Sequence, residues 1–340
     1  MNLYKSLIFI LYLGIFLGSG FRTPAQSRDS ITLYGTLDTV QVIRQRIQHA
    51  NEANAGARVT HISPAILQAN KTRSLAELLT DHTSIYIKSL GTGALSTASF
   101  RGTSASQTRV NWNGINITPP LSGTFDFSQI PVFFTDNINL YYGSSHVKNG
   151  TGAIGGSVNL FTDTDWNRGV NGRVLAEYGS YNTYTVGGQA NISGNKSASK
   201  TRLYYQHSDN DYTYLNKVLT NIPFREKRQD AAYSQFGIMQ EGYFRVSPYT
   251  RLTAVAWYQK NYRNLPQPLG VVNRSQEDQE ENNFRGYAGL DFSRGIHELH
   301  VKAAWLYFCQ TYDIRYDGGL FDPKGNKNRS NTAQVVADYT

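Results

Sequence analysis

From about residue 167 onward the chain repeats segments in which apolar and polar side chains alternate, each about the ten residues that a tilted strand needs to cross a hydrocarbon layer. In "ELHVKAAWLYF", Leu299, Val301, Ala303, Trp305 and Tyr307 share one face, and Glu298, His300 and Lys302 the other. "TYTVGGQANI" separates Tyr184, Val186, Gly188, Ala190 and Ile192 from Thr183, Thr185, Gln189 and Asn191. "FRGYAGLDF" sets Phe284, Gly286, Ala288, Leu290 and Phe292 against Arg285, Tyr287 and Asp291. A period of two is that of a strand between two unlike environments, here lipid and a lumen. The connections fall into two classes. Those at 193–200, 247–249 and 293–297 are short, whereas those near 208–232, 261–282 and 311–331 are long and polar. Short turns at one end and long loops at the other are the pattern of an antiparallel transmembrane barrel, and roughly eight strands are visible, the last in "TAQVVADYT".

The N-terminus explains how such a chain reaches a membrane that strands can cross. Lys5 precedes an apolar run from Leu7 to Leu17, followed by small and polar residues. This is the layout of a secretory signal peptide, residues 1–25, with a cut expected after Ala25. The run falls short of the roughly 20 residues of a membrane helix, and no comparable run follows it. Aromatic residues make up 13% of the 340 residues and charged ones only 17%, a balance suited to aromatic belts rather than to a soluble α/β enzyme. The formal charge of +8 is scattered, without the basic stripe and interleaved aromatics of a nucleic-acid binder, so no nucleic-acid partner is expected. Cys309 is the only cysteine, which excludes a disulfide or a cysteine metal cluster within the chain.

Residues 58–165 are of another kind, a small mixed α/β unit. Ser63 before Pro64, and Ser74 with Glu77 three residues later, mark the starts of two short helices. Asn113-Gly114 between "VNW" and "INI" predicts a two-residue hairpin. "SIYIKS", "NINLYY" and "GGSVNLF" supply strands. "GTGAIG" at 150–155 matches the dinucleotide fingerprint letter for letter, and Glu177 lies about 20 residues on. A phosphate site needs a buried strand before the glycines and a helix after them, whereas polar "SSHVKN" precedes and β-branched "SVNLF" follows, so the match is read as accidental.

Six segments in order, "SLAELL" (74–79), "FRG" (100–102), "VNWNGI" (110–115), "SQIP" (128–131), "INLYYG" (138–143) and "GAIGGSVNLFT" (152–162), resemble the plug domain of TonB-dependent outer-membrane receptors. The resemblance covers about Arg58 to Thr162. The chain departs from the family where Asn113 replaces an acid, where Thr83-Ser84 replace a Pro-Gly pair, and where Asn139 and Tyr142 replace a Glu and an Arg that look like plug-to-barrel contacts. Tethering of the plug is thereby left open. Upstream, within the extended segment 26–57, "LDTVQVI" resembles the TonB box. This implies that Asp38, Thr39, Val40, Gln41 and Val42 bind TonB by strand addition.

The fold class is therefore mixed: an α/β plug followed, over 167–340, by the N-terminal part of a transmembrane β-barrel. Eight strands close a barrel just wide enough for its own side chains, too narrow for a plug, while the resemblance implies roughly 22. The chain is accordingly expected to be part of a longer one. The implied function is TonB-dependent uptake of a scarce ligand such as cobalamin or a siderophore across the outer membrane, with no bond made or broken and no cofactor. The plug apices at 90–99 and 118–129 are the expected ligand contacts, with Leu121, Ser122, Thr124, Phe125 and Asp126 as the site, and the second apex leans towards the cobalamin receptors. Phe125 packing beneath its loop is an equal alternative. Asp209, Asp211 and Asp230 read as solvated loop charge rather than a calcium site, and no metal is assigned. The expected partners are TonB, outer-membrane lipid and the small-molecule ligand, with a surface lipoprotein as a further candidate. Two rival readings are a passive porin or adhesin and a periplasmic nucleotide-binding oxidoreductase.

Overall fold

The computed structural model describes residues 58–143, 153–218, 223–269, 275–316 and 324–339. The signal peptide, the 38–42 segment, Gly150 and Gly152 lie outside these residues.

The local signals of the first unit act as chemistry requires. Ser63 accepts a hydrogen bond from the Ile66 amide (3.3 Å) and starts α1, Pro64–Ala69. At the head of α2, Leu75–His82, the Ser74 hydroxyl accepts from the Glu77 amide while the Glu77 carboxylate accepts from the Ser74 amide (2.8 Å). Reciprocal capping satisfies two otherwise orphaned donors. The helix turns Leu75, Leu78 and Leu79 into the core. They pack with a five-stranded sheet built from β1 (Arg58–His61), β4 (Thr108–Trp112), β5 (Ile115–Asn116), β6 (Asn137–Tyr142) and β7 (Gly156–Phe161), in the order β1-β6-β7-β4-β5. The β4–β7 pair is parallel and its neighbours are antiparallel. Asn113 and Gly114 turn β4 into β5 at φ 50° and 85°, the left-handed pair a type I′ hairpin demands. "SIYIKS" does form a strand, β2 (Tyr86–Ser89), but it pairs only with β3 (Ser96–Ser99) in a separate ribbon.

Gly155 and Gly156 enter β7 directly, with no helix after them to receive a phosphate. Their work is close approach. A Cβ at Gly156 would stand 2.5 Å from the Tyr141 carbonyl oxygen and 2.6 Å from the Phe100 ring. The nucleotide reading fails because a strand occupies the place of the helix that would supply the anion site.

The remaining long strands form one antiparallel eight-stranded sheet: β8 (Gly169–Gly179), β9 (Thr183–Ser193), β10 (Ser197–Ser208), β13 (Tyr233–Ser247), β14 (Thr250–Asn264), β15 (Ser275–Arg294), β16 (His297–Tyr316) and β17 (Lys324–Tyr339), with β8 and β17 at its edges. Alternation decides the faces. Leu203 is 48% exposed on the outer face, between Arg202 at 0% and Tyr204 at 1% on the lumen face. Cross-strand register brings the expected lipid face together, pairing Phe284 with Tyr307, Gly286 with Trp305 and Leu290 with Val301. Among the described residues no helix is long and apolar enough to cross a membrane, a finding that leaves crossing to strands.

The loops expected at 261–282 and 311–331 are mostly strand. β15 begins at Ser275 and β16 runs to Tyr316, so both continue far beyond the span of an apolar band. Here both faces meet polar surroundings, and the apolar half of the alternation is lost while the ladder persists. The 208–232 connection carries a small hairpin, β11 (Thr213–Asn216) with β12 (Phe224–Lys227).

Gly156→Ala is expected to destabilise the purified protein by about 1–3 kcal/mol through overpacking against backbone. A detergent-solubilised variant with an unchanged unfolding midpoint would contradict the close-packing role.

Candidate functional site

The plug unit lies on the lumen face of the sheet, and its contacts sort by height. At the centre the contact is aromatic. Trp112 meets Trp257 (5.4 Å between ring centroids) and Tyr287 (5.2 Å), and Phe134 meets Trp257 (5.4 Å) and Tyr204 (6.1 Å). Phe134 reaches the wall where Gly237 leaves room, since a Cβ there would stand 2.6 Å from the ring. The indole N–H groups of Trp112 and Trp257 are buried without hydrogen-bond partners, so the contact is held by packing.

Towards the end that carries the short turns the contact is ionic. Asp136, in the turn leading to β6, takes Lys200 at 3.0 Å and Arg202 on the same carboxylate oxygen. Arg202 also lies 3.4 Å from the fully buried Glu241. Lys200 donates in addition to the Asp163 carbonyl, and Lys71 of the plug donates to the Thr135 carbonyl at 2.5 Å. Burial favours the neutral form of Asp136, but Arg202, Lys200 and Lys71 outweigh it and hold the carboxyl at about 2. Burial pushes the Lys71 ammonium down to about 8. This cluster tethers the plug where Asn139 and Tyr142 do not: Asn139 bonds His61 (2.7 Å) and Tyr142 packs edge-on against Phe100.

At the long-loop end stand the two apices. Asn210 donates to the Thr92 carbonyl of the first (2.9 Å). In the second, Asp126 accepts from the amides of Ser96 and Ser128 (3.0 Å each) and pairs with Arg263 at 2.7 Å. Arg263 in turn donates twice to Gln279. Of the five expected ligand residues, Leu121 and Ser122 are exposed and Thr124 is half-buried. Phe125 is buried against Phe127 (5.1 Å) and Asp126 is a loop-organising acid. A cavity of about 190 Å³ separates Ser122, Thr124, Phe125 and Asp126 from the wall residues Gln279, Glu281, Asn283 and Gln310. Sequence reading missed those four, although "QEENN" continues the alternation of β15: Gln279, Glu281, Asn283 and Arg285 are all buried on the lumen side. In the outer connection Asp211 pairs with Lys227 (2.6 Å) and Asp209 with His207 (3.1 Å). Among the described residues no cluster of metal-ligating side chains occurs.

A globular α/β unit seated on the lumen face of a lipid-facing antiparallel sheet defines a plugged outer-membrane barrel. Residues 51–157 match the family model described as the TonB-dependent receptor plug domain. A vitamin B12 transporter, BtuB, of Photobacterium profundum is 32% identical over 135 residues, 40% of this chain and 22% of the relative. BtuB of Vibrio cholerae is 32% identical over 126 residues, 37% of this chain and 20% of the relative. Among solved structures, the siderophore receptor PiuA of Acinetobacter baumannii aligns with a TM-score of 0.59 at 18% identity, over 76% of this chain and 37% of that one. The ferric-catecholate import receptor Fiu of E. coli K12 aligns with a TM-score of 0.60 at 12% identity, over 84% and 45%. Residues 51–157 thus match a plug domain of the TonB-dependent receptor type, and the chain spans about a fifth of the length of the curated relatives it matches.

Asp136→Asn leaves Arg202 with Glu241 alone and Lys200 without a carboxylate, and is expected to cost on the order of 3 kcal/mol. The folded pKa of Asp136 lies below the ordinary carboxyl value of 3.8, so its contribution is complete above about pH 4 and is lost as pH falls towards 2. Thermal scans in detergent between pH 6 and 2 should show this acid limb in the wild type and a flatter profile in the variant; superimposable profiles would contradict the tether.

Proposed function

We propose that the protein takes up a scarce small molecule across the outer membrane by TonB-dependent active transport. The observation that carries this reading is the commitment of the lumen wall to the plug. Arg202, Tyr204, Trp257 and Tyr287 face the plug rather than water, and an always-open pore has no use for such contacts. Passage then requires the plug to move, and movement against buried contacts requires work. TonB would supply it by pairing with Asp38, Thr39, Val40, Gln41 and Val42 as an added strand, where backbone hydrogen bonds give affinity whatever the side chains. No bond is made or broken.

The ligand would first meet Leu121, Ser122 and Thr124, the accessible part of the second apex, while Phe125 and Asp126 hold that loop in shape. The vitamin B12 transporters matched at 32% identity support cobalamin as the ligand; the siderophore receptors resemble the chain in fold alone. Lipid would surround the outward faces, and a surface lipoprotein is a further partner that this reading admits.

Deleting residues 38–42 is expected to reduce energised uptake of labelled cobalamin to background while leaving its binding to isolated outer membranes unchanged. Uptake that survives the deletion would instead support the passive-barrel reading.

A further inference from the structure

We propose that a second cavity, about 280 Å³ between the plug and β15–β17, is an oxyanion site that receives a carboxylate or phosphate group of the transported molecule on its way past the plug. The proposal rests on the uptake reading for the identity of the cargo, but not for the site itself.

Charge singles this cavity out. Two arginines line it, Arg109 of β4 and Arg285 of β15, and no Asp or Glu does. The other buried cations of the plug–wall contact have partners: Lys200 and Arg202 have Asp136, Arg263 has Asp126, and Lys71 has backbone carbonyls. Arg285 is buried, lies over the Trp257 ring at 4.4 Å and donates one hydrogen bond to Gln259 (3.0 Å). Among the described residues no carboxylate comes within ion-pair distance of it. Arg285 also borders the neighbouring cavity, where Glu281 accepts from Gln279 (2.6 Å) and Gln310 (2.9 Å). Arg109 is half-buried on the plug side, and its side chain makes no hydrogen bond or ion pair among the described residues.

A guanidinium withdrawn from water without a counter-ion is costly. Trp257 and Gln259 hold the Arg285 plane in place but do not neutralise it. Its fork of N–H donors matches the two oxygens of a carboxylate or phosphate, and Arg109 adds a second fork from the opposite wall. Asn283, Ser330 and Thr332 offer neutral polar groups around the same space. Since Arg109 belongs to the plug and Arg285 to the wall, a bound oxyanion would bridge the two bodies that have to part during transport.

The test is calorimetric titration of the purified full chain in detergent with inorganic phosphate and, separately, with citrate, without TonB. Saturable binding that weakens with added sodium chloride is expected, and Arg109→Gln and Arg285→Gln should each weaken it about tenfold, the scale of one lost charge-assisted hydrogen bond. Arg285→Lys, which keeps the charge but not the fork, should fall between. Response to phosphate alone or to citrate alone supports the site and identifies the group. Absence of saturable binding for both anions, or undiminished binding in Arg109→Gln, overturns the proposal. Arg109 is half-buried, so that variant tests the site without emptying a core position. Anion binding that persists in a protein lacking TonB-dependent uptake would count against the uptake reading alone.

Discussion

Arg202 sits on the lumen face of the wall with no exposure to water, and among the described residues only Asp136 and Glu241 form ion pairs with it. One of those acids belongs to the wall and the other to the plug. The wall strand is therefore electrostatically incomplete without the domain it encloses, and the plug's Asp136 is held ionised by wall cations in return. Around this pair the aromatic contacts of Trp112 and Phe134 add packing, which is strong while the bodies touch and is lost once they separate by a water's width. A tether that combines short-range packing with one concentrated ionic contact is firm at rest and can be undone by work applied at a single end.

The two ends of the contact differ in kind. Near the short turns the groups are charged and paired, although Arg202 Nε and Nη1 and Glu241 Oε1 are buried without a hydrogen bond among the described residues. Near the long loops they are polar and border several cavities, among them one lined by acids and arginines and one by arginines without acids. That asymmetry suits a body that is anchored below and presents a recognition surface above. The long strands β15 and β16 carry the wall past the apices, so side chains from both bodies border the same spaces.

What the sequence disclosed was local. The caps at Ser63 and Ser74, the turn at Asn113-Gly114 and the alternation of β9, β15 and β16 depend on neighbours within a few residues, and each has the structure its chemistry demands. The six plug segments carried the family. The tether was not legible, because Asp136 meets Lys200 and Arg202 across more than sixty positions and no periodicity links them. Attention to Asn139 and Tyr142 pointed to a missing contact in β6 that had in fact moved to the preceding turn. The upper strands read as loops because polarity on both faces hides a ladder that backbone bonds still build. Apex loops favour exposure, so Phe125 and Asp126 read as ligand residues; the burial of the ring and the contacts of the acid with Ser96, Ser128 and Arg263 are tertiary facts that the sequence does not display.

The most direct test of the plug's seat is zero-length carbodiimide coupling in outer-membrane vesicles, followed by mass spectrometry of the peptides. The account predicts an amide joining Lys200 to Asp136, formed alongside one joining Lys260 to Glu280, a pair of equal 3.0 Å separation within the wall itself. Coupling of Lys260 to Glu280 with no Lys200–Asp136 product would contradict it.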